Sequence, residues 1–120
     1  MMLFKGRVIK GKGRGKEMGF PTINLAADKD VPTGVYICKA TLNGRSYWGL
    51  LHSGPRPVFK EKDPSVEVFL FEFGGLVPRE ITVWVEKRLR DVMDFASPKK
   101  LVEQIEKDRK EALKYIANKP

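Results

Sequence analysis

Residues 35–52, VYICKATLNGRSYWGLLH, contain two predicted β-strands joined by a tight turn. Residues 35–42 are rich in β-branched and aromatic side chains, which favour strands. Asn43 and Gly44 follow at once, and both residue types tolerate the positive φ angles that a two-residue hairpin turn requires. We therefore predict that residues 46–52 pair back antiparallel, so that the fold is built around an antiparallel sheet.

Three further segments have strand character. They are residues 3–10, residues 66–73 (VEVFLFEF) and residues 81–87 (ITVWVEK). Residues 53–59 (SGPRPVF) are expected to form a turn-rich connector, because two prolines and a glycine leave little room for a hydrogen-bond ladder. The sequence thus predicts five or six short antiparallel strands.

The C-terminal segment changes to a helical period. Ser97 suits a helix N-cap, and Pro98 suits the first helical position. Apolar side chains then recur at helical spacing at Leu101, Ile105, Ala112 and Ile116. One amphipathic helix of about five turns is expected to pack on the sheet. The predicted fold is mainly β, an antiparallel barrel whose open end this helix covers.

Length and composition indicate one domain, residues 1–120, because 42% apolar content is enough for one core. We expect a cytoplasmic protein with no membrane partner, since no segment resembles a signal peptide or a membrane span. The single cysteine and single histidine exclude an internal disulfide and a Cys/His metal cluster. Cys38 is expected in the core, and His52 in a structural or surface role.

The net charge of +8 is uneven along the chain. Six of the 23 basic residues lie within residues 1–17, where Glu17 is the only acidic one. This concentration suits a local anionic ligand at least as well as a general nucleic-acid surface. Charge alone leaves both interpretations open.

The basic residues are interleaved with glycines in residues 11–19. Glycines allow successive backbone N–H groups to converge on phosphate oxygens, and basic side chains would add charge there. The candidate phosphate-binding glycines are Gly11, Gly13, Gly15 and Gly19. The basic side chains are Lys12, Arg14 and Lys16. A mobile surface loop is the alternative interpretation, because glycine patterns are weak evidence.

Residues 19–25, GFPTINL, add two oxygen ligands. Pro21 fixes φ ahead of Thr22, and in an extended segment Thr22 and Asn24 lie on the same side of the chain. Their neutral oxygens could share a Mg²⁺ ion with phosphates. The alternative is a turn in which both side chains bond only local backbone.

Glu67 is the candidate general base. Period-2 alternation places it on one strand face with Phe69, Phe71 and Phe73. It either lies in water at the sheet rim or accepts a proton at the mouth of a pocket. Glu72 is the weaker candidate, because it is close to the Gly74-Gly75 turn and is expected to be solvated.

Together these stretches resemble the riboflavin kinase family over almost the whole chain. Residues 6–25 (GRVIKGKGRGKEMGFPTINL) are similar to its opening strand, glycine-rich loop and Pro-Thr-Ala-Asn motif, with Ile23 in place of the usual alanine. Residues 32–44 (PTGVYICKATLNG) and 53–59 resemble its Gly-Val-Tyr and Ile-Gly-x-Arg-Pro-Thr-Phe segments. Residues 88–108 (RLRDVMDFASPKKLVEQIEKD) resemble its Leu-Arg-x-Glu-x-x-Phe segment and final helix.

The resemblance implies a six-stranded Greek-key barrel with a covering helix. It also implies transfer of the γ-phosphoryl group of ATP, or of CTP, to the terminal hydroxyl of riboflavin, giving FMN. Thr22 and Asn24 would bind Mg²⁺ and phosphate within the nucleotide segment that runs from Gly11 through Pro21, and Glu67 would be the base. Arg90 and Phe95 would contact the flavin. The expected partners are these small molecules alone, bound by a monomer without an attached adenylyltransferase domain.

Departures from the family pattern concentrate on the flavin side. Phe69 stands where histidine is usual, Glu72-Phe73 where Asp-Phe is usual, and Val92 where glutamate is usual. Two other functions therefore stay open. One is an inactive flavin- or nucleotide-binding regulator. The other is a basic barrel that stacks nucleic-acid bases on Phe69, Phe71, Tyr47 and Trp48.

Overall fold

The computed structural model describes residues 1–11, 19–56 and 61–120, with backbone alone at 56 and 61–63. Its strands are β1 (Met2–Ile9), β2 (Ile23–Ala27), β3 (Gly34–Leu42), β4 (Arg45–Arg56), β5 (Glu61–Leu70) and β6 (Glu80–Arg90). One helix, α1, follows at Pro98–Ala117. The mainly β composition matches the sequence prediction, and β2 supplies the sixth strand.

The six strands close into a barrel in the order β1-β2-β5-β4-β3-β6, and the neighbouring pairs are antiparallel. Strands β3, β4 and β5 are consecutive, and β6 returns to lie beside β3, which is the Greek-key arrangement. Closure satisfies the backbone groups that an open sheet edge would leave unpaired. The predicted Greek-key barrel is therefore confirmed.

The predicted hairpin between β3 and β4 is confirmed in detail. Asn43 and Gly44 have φ angles of 50° and 74°, as a tight turn of this kind requires. The register continues from Leu42 opposite Arg45 to Gly34 opposite Ser53. This long, regular pairing makes β3 and β4 a fixed wall of the barrel.

Several strand boundaries differ from the prediction. Strand β5 begins at Glu61 rather than at residue 66, and β6 continues to Arg90 rather than ending at residue 87. Strand β4 continues through residues 53–56, where a connector was expected, and its pairing with β5 becomes irregular between Gly54 and Arg56. A β-bulge of this kind accommodates a proline within a strand. Strand β5 ends at Leu70 and not at residue 73, because Glu72 has a left-handed φ of 59° that no strand continues through. Residues 57–59 of the expected connector lie outside the described residues.

The main core fills the barrel, and every strand contributes to it. Its buried members include Phe4, Leu25, Tyr36, Cys38, Leu51, Val68 and Val83. Cys38 lies in the core as expected, and burial raises the pKa of its thiol to about 12. The inward side chains alternate with outward ones along each strand, so the other face of the wall is available for the helix and the site.

Helix α1 packs against the outside of the barrel wall, not over an open end. Ile37 and Leu50 point away from the main core and meet Leu101, Ile105 and Ala112 of the helix. The outward faces of β3 and β4 therefore carry an apolar surface on which the helix packs. Ser97 caps the helix as predicted, because its side chain accepts a hydrogen bond from the Lys100 N–H.

The C-terminal end of α1 is fastened to β6 through Glu86. Trp84 Nε1 donates to Glu86 at 2.7 Å, and Tyr115 Oη donates to the same carboxylate at 2.8 Å. Lys119 forms an ion pair with it. These hydrogen bonds, that of Lys119 first, lower the pKa of Glu86 to about 2.

Within the part of the chain that the structure describes, no helix is long and apolar enough to cross a membrane.

Candidate active site

A row of polar side chains crosses the outer wall where β2, β5 and β4 lie side by side. In the strand register, Asn24 is opposite Glu67, and His52 is opposite Glu67 from the other side. Directly opposite residues project from the same face of a sheet. Their sequence neighbours Leu25 and Val68 point into the core, so the row points outward.

Two hydroxyl groups hold the Glu67 carboxylate. Thr22 donates to Glu67 Oε1 at 3.1 Å, and Ser65 donates to Glu67 Oε2 at 2.9 Å. Each carboxylate oxygen thus accepts a hydrogen bond from a different hydroxyl group. This arrangement restricts the orientation of the carboxylate plane. The structure therefore brings together two of the predicted site residues and adds Ser65.

His52 lies beside this carboxylate rather than on the surface. Its Nδ1 is 4.0 Å from Glu67 Oε2, and only 9% of the residue is exposed. Sequence reasoning assigned His52 no part in the site, because the pairing of β4 with β5 is not readable from local spacing. The alternation of His52 with Leu51, which points into the core, was the one available signal that it faces outward.

Asn24 packs on Gly11. A Cβ atom at position 11 would lie 1.8 Å from Asn24 Nδ2, so the amide occupies the space that any other residue would fill. Gly19 has a φ of 88° in open surroundings, which favours glycine. Glycine is thus favoured at position 11 by the contact with Asn24 and at position 19 by the positive φ. Lys12, Gly13, Arg14, Gly15 and Lys16 lie outside the described residues, so the phosphate-binding loop stays a prediction.

Phe20 anchors the segment that carries Thr22. Phe20 is buried against the helix-side core, and its ring meets the Phe69 ring edge-on at 6.2 Å between centroids. Pro21 is exposed. The Phe20 anchor positions Thr22 at the start of β2, so that its hydroxyl reaches Glu67 on β5.

The outward aromatic row of β5 is shorter than predicted. Phe69 and Phe71 contact each other and pack on the helix side, whereas Phe73 packs on Tyr47 beside the main core. The left-handed turn at Glu72 breaks the alternation. Glu72 itself is exposed, as expected. Of the aromatic side chains expected to stack bases, Phe71 is thus buried, whereas Phe69 and Tyr47 are partly buried.

A groove with about 360 Å³ of empty space, including its open mouth, runs from Glu67 towards the helix. Its polar lining lies at the two ends, with Thr22, His52 and Glu67 at one and Arg90 and Asp108 at the other. The apolar lining between them comes from Phe20, Val35, Leu50, Phe69 and Ile105. A groove of this kind suits a ligand with a polar group at each end of a flat apolar body.

The far end of the groove is built around Arg90. Its guanidinium lies 5.9 Å from the Phe95 ring centroid, so the two residues assigned to the flavin by resemblance are neighbours. Arg90 also makes a two-pronged hydrogen-bonded ion pair with Asp108 of α1. Asp108 was not predicted. The sequence feature that could have indicated it is the series Leu101, Ile105, Asp108, Ala112, in which a carboxylate interrupts the apolar face of the helix.

The candidate oxygen ligands for a cation are Asn24 on β2 and Thr22 immediately before that strand. Among the described residues, no group of three or more His, Cys, Asp or Glu side chains could hold a metal ion. Thr22 and Asn24 fit Mg²⁺ in a different way, because this ion keeps waters and takes few protein ligands. The Thr22 hydroxyl donates a hydrogen bond to Glu67, and the lone pairs of its oxygen can therefore still bind a cation.

The fold and the site define a Greek-key barrel domain with a groove on its outer wall. The chain belongs to the riboflavin kinase family, because residues 1–116 match the family model described as flavokinase, riboflavin kinase. The resemblance noted from sequence is therefore confirmed.

Two curated relatives from Bacillus subtilis (strain 168) are similar along most of the chain. A bifunctional riboflavin kinase/FMN adenylyltransferase is 44% identical over 95% of this chain and 38% of the relative. An RNA-binding riboflavin kinase, RibR, is 33% identical over 90% of this chain and 48% of the relative. The chain thus spans less than half the length of these relatives.

A solved structure supports the fold. The crystal structure of a protein from Streptococcus pneumoniae, described as a macrolide-efflux protein, superposes with a TM-score of 0.79 at 28% identity. The match covers 90% of this chain and 37% of that one. The barrel with its C-terminal helix is therefore an arrangement already observed within a longer chain.

Proposed function

We propose that this domain is a riboflavin kinase, which transfers the γ-phosphoryl group of ATP to the terminal hydroxyl of riboflavin and forms FMN. The observation that carries the proposal is the Glu67 carboxylate, held by the hydroxyls of Thr22 and Ser65 at the polar end of the groove. Family membership over residues 1–116 supplies the reaction class.

Glu67 is the proposed general base. It accepts the proton of the riboflavin hydroxyl as the hydroxyl oxygen attacks the γ-phosphorus, and the bond from phosphorus to the ADP oxygen breaks in line. Fixing both carboxylate oxygens reduces the reorientation that proton transfer would otherwise need. Phosphoryl transfer depends mainly on such positioning and on charge neutralisation, and it needs no covalent intermediate.

Thr22 and Asn24 are the proposed magnesium ligands. Mg²⁺, when bound with the nucleotide, would neutralise charge on the transferred phosphoryl oxygens. Thr22 connects the two functions, because its hydroxyl donates a hydrogen bond to Glu67 and its oxygen can also bind the cation. Gly11 keeps the Asn24 amide in place by offering no Cβ.

The nucleotide is proposed to lie along residues 11–24, with ATP as donor and CTP as the alternative. The glycine-rich segment and its lysine and arginine side chains supply N–H groups and positive charge for the phosphates. Because this segment adjoins Thr22 and Asn24 in sequence, the same stretch binds phosphate and cation.

The flavin is proposed to occupy the apolar middle of the groove, with one edge at Arg90 and Phe95. In the strand register, Glu67 faces His52, His52 faces Val35, and Val35 faces Arg90. Three strand spacings separate Glu67 from Arg90, about 14 Å between backbones. A tricyclic ring that carries an extended five-carbon chain suits this span.

We propose further that the domain acts as a monomer on small molecules, without nucleic acid. The relative named RNA-binding keeps the nucleic-acid alternative in view. The burial of Phe71 in the helix-side core, with Phe69 partly buried beside it, argues against the stacking surface considered for this chain. Salt-dependent binding of oligonucleotides, unaffected by Glu67→Gln, would favour that alternative instead.

The test is to incubate the purified protein with riboflavin, Mg²⁺ and either ATP or CTP, and to separate FMN from riboflavin by chromatography with fluorescence detection. We expect FMN with the wild type, none with Glu67→Gln, and none in excess EDTA. Absence of FMN with every nucleotide, in a folded protein that still binds riboflavin, would identify an inactive regulator. Full activity in EDTA would remove the cation from the mechanism.

A further inference from the structure

Asp108 is a buried carboxylate on a helix face that is otherwise apolar. Only 2% of the residue is exposed, and it lies between Ile105 and Ala112 in the series that packs on the barrel. Arg90 Nε donates to both of its oxygens, at 3.0 and 3.1 Å, and Arg90 Nη2 donates at 2.8 Å. Gln104 donates a further bond at 3.0 Å. The carboxylate is thus fully engaged without any ligand.

Stability alone does not account for this pair. Burying two charges costs desolvation free energy that their attraction only partly offsets, and apolar residues of similar volume often serve a fold as well. The pair, however, lines the groove. An ion pair at the end of a ligand groove therefore needs an explanation in terms of the ligand.

The bonds to Asp108 fix the orientation of Arg90 while leaving it able to bind. A guanidinium has five N–H groups in one plane. The Nε and Nη2 bonds to Asp108 and an Nη1 bond to the Asp91 carbonyl at 3.0 Å use three of them. The other two, one on Nη1 and one on Nη2, make no hydrogen bond within the described residues, and Arg90 lines the groove.

We propose that Asp108 is a positioning residue for riboflavin: it holds Arg90 so that the two remaining N–H groups donate to carbonyl oxygens at the edge of the flavin ring. This inference rests on the proposed function. Since Arg90 lies three strand spacings from Glu67, an Arg90 fixed in this way sets how far the ribityl hydroxyl extends towards the base. Asp108 itself touches no reacting atom.

The first test is Asp108→Asn, which keeps the side-chain volume and one acceptor oxygen but removes the charge. We expect the KM for riboflavin to rise roughly tenfold, since a charge-assisted hydrogen bond of the positioning pair is weakened. The KM for ATP should be unchanged, and kcat should change less than the riboflavin KM. Glu111→Gln is the matched control, because it removes a carboxylate from the exposed side of the same helix. An unchanged riboflavin KM in folded Asp108→Asn, or an equal rise in both KM values, would overturn the inference.

The second test separates positioning from stability with the double variant Arg90→Met, Asp108→Leu. Its melting temperature should equal or exceed that of the wild type, because apolar side chains replace a buried ion pair. Its affinity for riboflavin, measured by quenching of flavin fluorescence, should still fall at least tenfold. Wild-type affinity in this variant would assign the pair to folding alone. If the wild-type protein neither binds riboflavin nor forms FMN, both the proposed function and this inference fail. If the wild type forms FMN and the variants keep its riboflavin KM and affinity, only this inference is rejected.

Discussion

Thr22 and Glu67, which are 45 residues apart in sequence, are joined by a hydrogen bond of 3.1 Å from the threonine hydroxyl to the carboxylate. The bond links the segment immediately before β2 to β5 on the outer wall of the barrel. It also couples the proposed cation ligand to the proposed base, so that the two cannot move independently. The first predictions concern this coupling.

Replacing Thr22 by valine removes the hydroxyl and keeps the shape of the side chain. We expect kcat for FMN formation to fall at least about 100-fold, because both a cation ligand and a bond to the base are lost. Thr22→Ser, which keeps the hydroxyl, should retain most of the activity. Steady-state kinetics with both variants check this, and an active Thr22→Val enzyme would exclude Thr22 from the mechanism.

Ser65→Ala removes the second hydroxyl that holds Glu67. Because one carboxylate oxygen then loses its donor, the base is less well oriented, and we expect kcat to fall roughly tenfold. The effect should be smaller than that of Thr22→Val, since Ser65 lies outside the proposed cation site. Ser46→Ala, which removes an exposed hydroxyl from the hairpin, is the control and should leave kcat unaltered. Equal rates in the two variants would contradict the assignment.

Gly11→Ala should displace the Asn24 amide, because the new Cβ would lie 1.8 Å from Asn24 Nδ2. The Mg²⁺ concentration needed for half-maximal activity should rise at least about tenfold, as for changes that misplace a metal ligand. Gly74→Ala is the matched control, since nothing lies within 4 Å of a Cβ there. A magnesium titration of activity measures both, and identical curves would show that Asn24 needs no support from Gly11.

Glu86 gives a prediction on stability. Hydrogen bonds from Lys119, Tyr115 and Trp84 lower the pKa of Glu86 from 4.5 to about 2. As the pH falls, the carboxyl group of the unfolded chain therefore binds a proton at a higher pH than that of the folded protein. The stabilising effect is therefore complete above about pH 4.5 and is lost as the pH falls towards 2. Glu86→Gln should lower the melting temperature at pH 7 by a few degrees, and the difference from the wild type should shrink at low pH.

Thermal unfolding between pH 2 and pH 7 checks the Glu86 prediction. Glu80→Gln, at an exposed position on the same strand, should cause little change at any pH. A difference between Glu86→Gln and the wild type that stays constant across this range would mean that the contacts at Glu86 do not depend on its charge.

Local sequence predicted much of the fold. The Asn43-Gly44 turn was readable because both residues permit positive φ, and the Ser97-Pro98 start of the helix was readable from its cap. The end of β5 was misplaced, because nothing in its sequence announces that Glu72 adopts a left-handed conformation. The extension of β4 through Pro55 was missed because a bulge absorbs a proline that propensity alone excludes from a strand.

The sequence by itself determined the elements and the residue types of the site: a β-hairpin, a capped helix, two neutral oxygens at Thr22 and Asn24, and a carboxylate at the start of an aromatic row. Only the tertiary structure decided their partners. Alternation states which face of a strand a side chain occupies, but barrel closure decides which remote strand lies beside it. That is why Thr22 and His52 join Glu67, and why Asp108 on the helix meets Arg90 on β6.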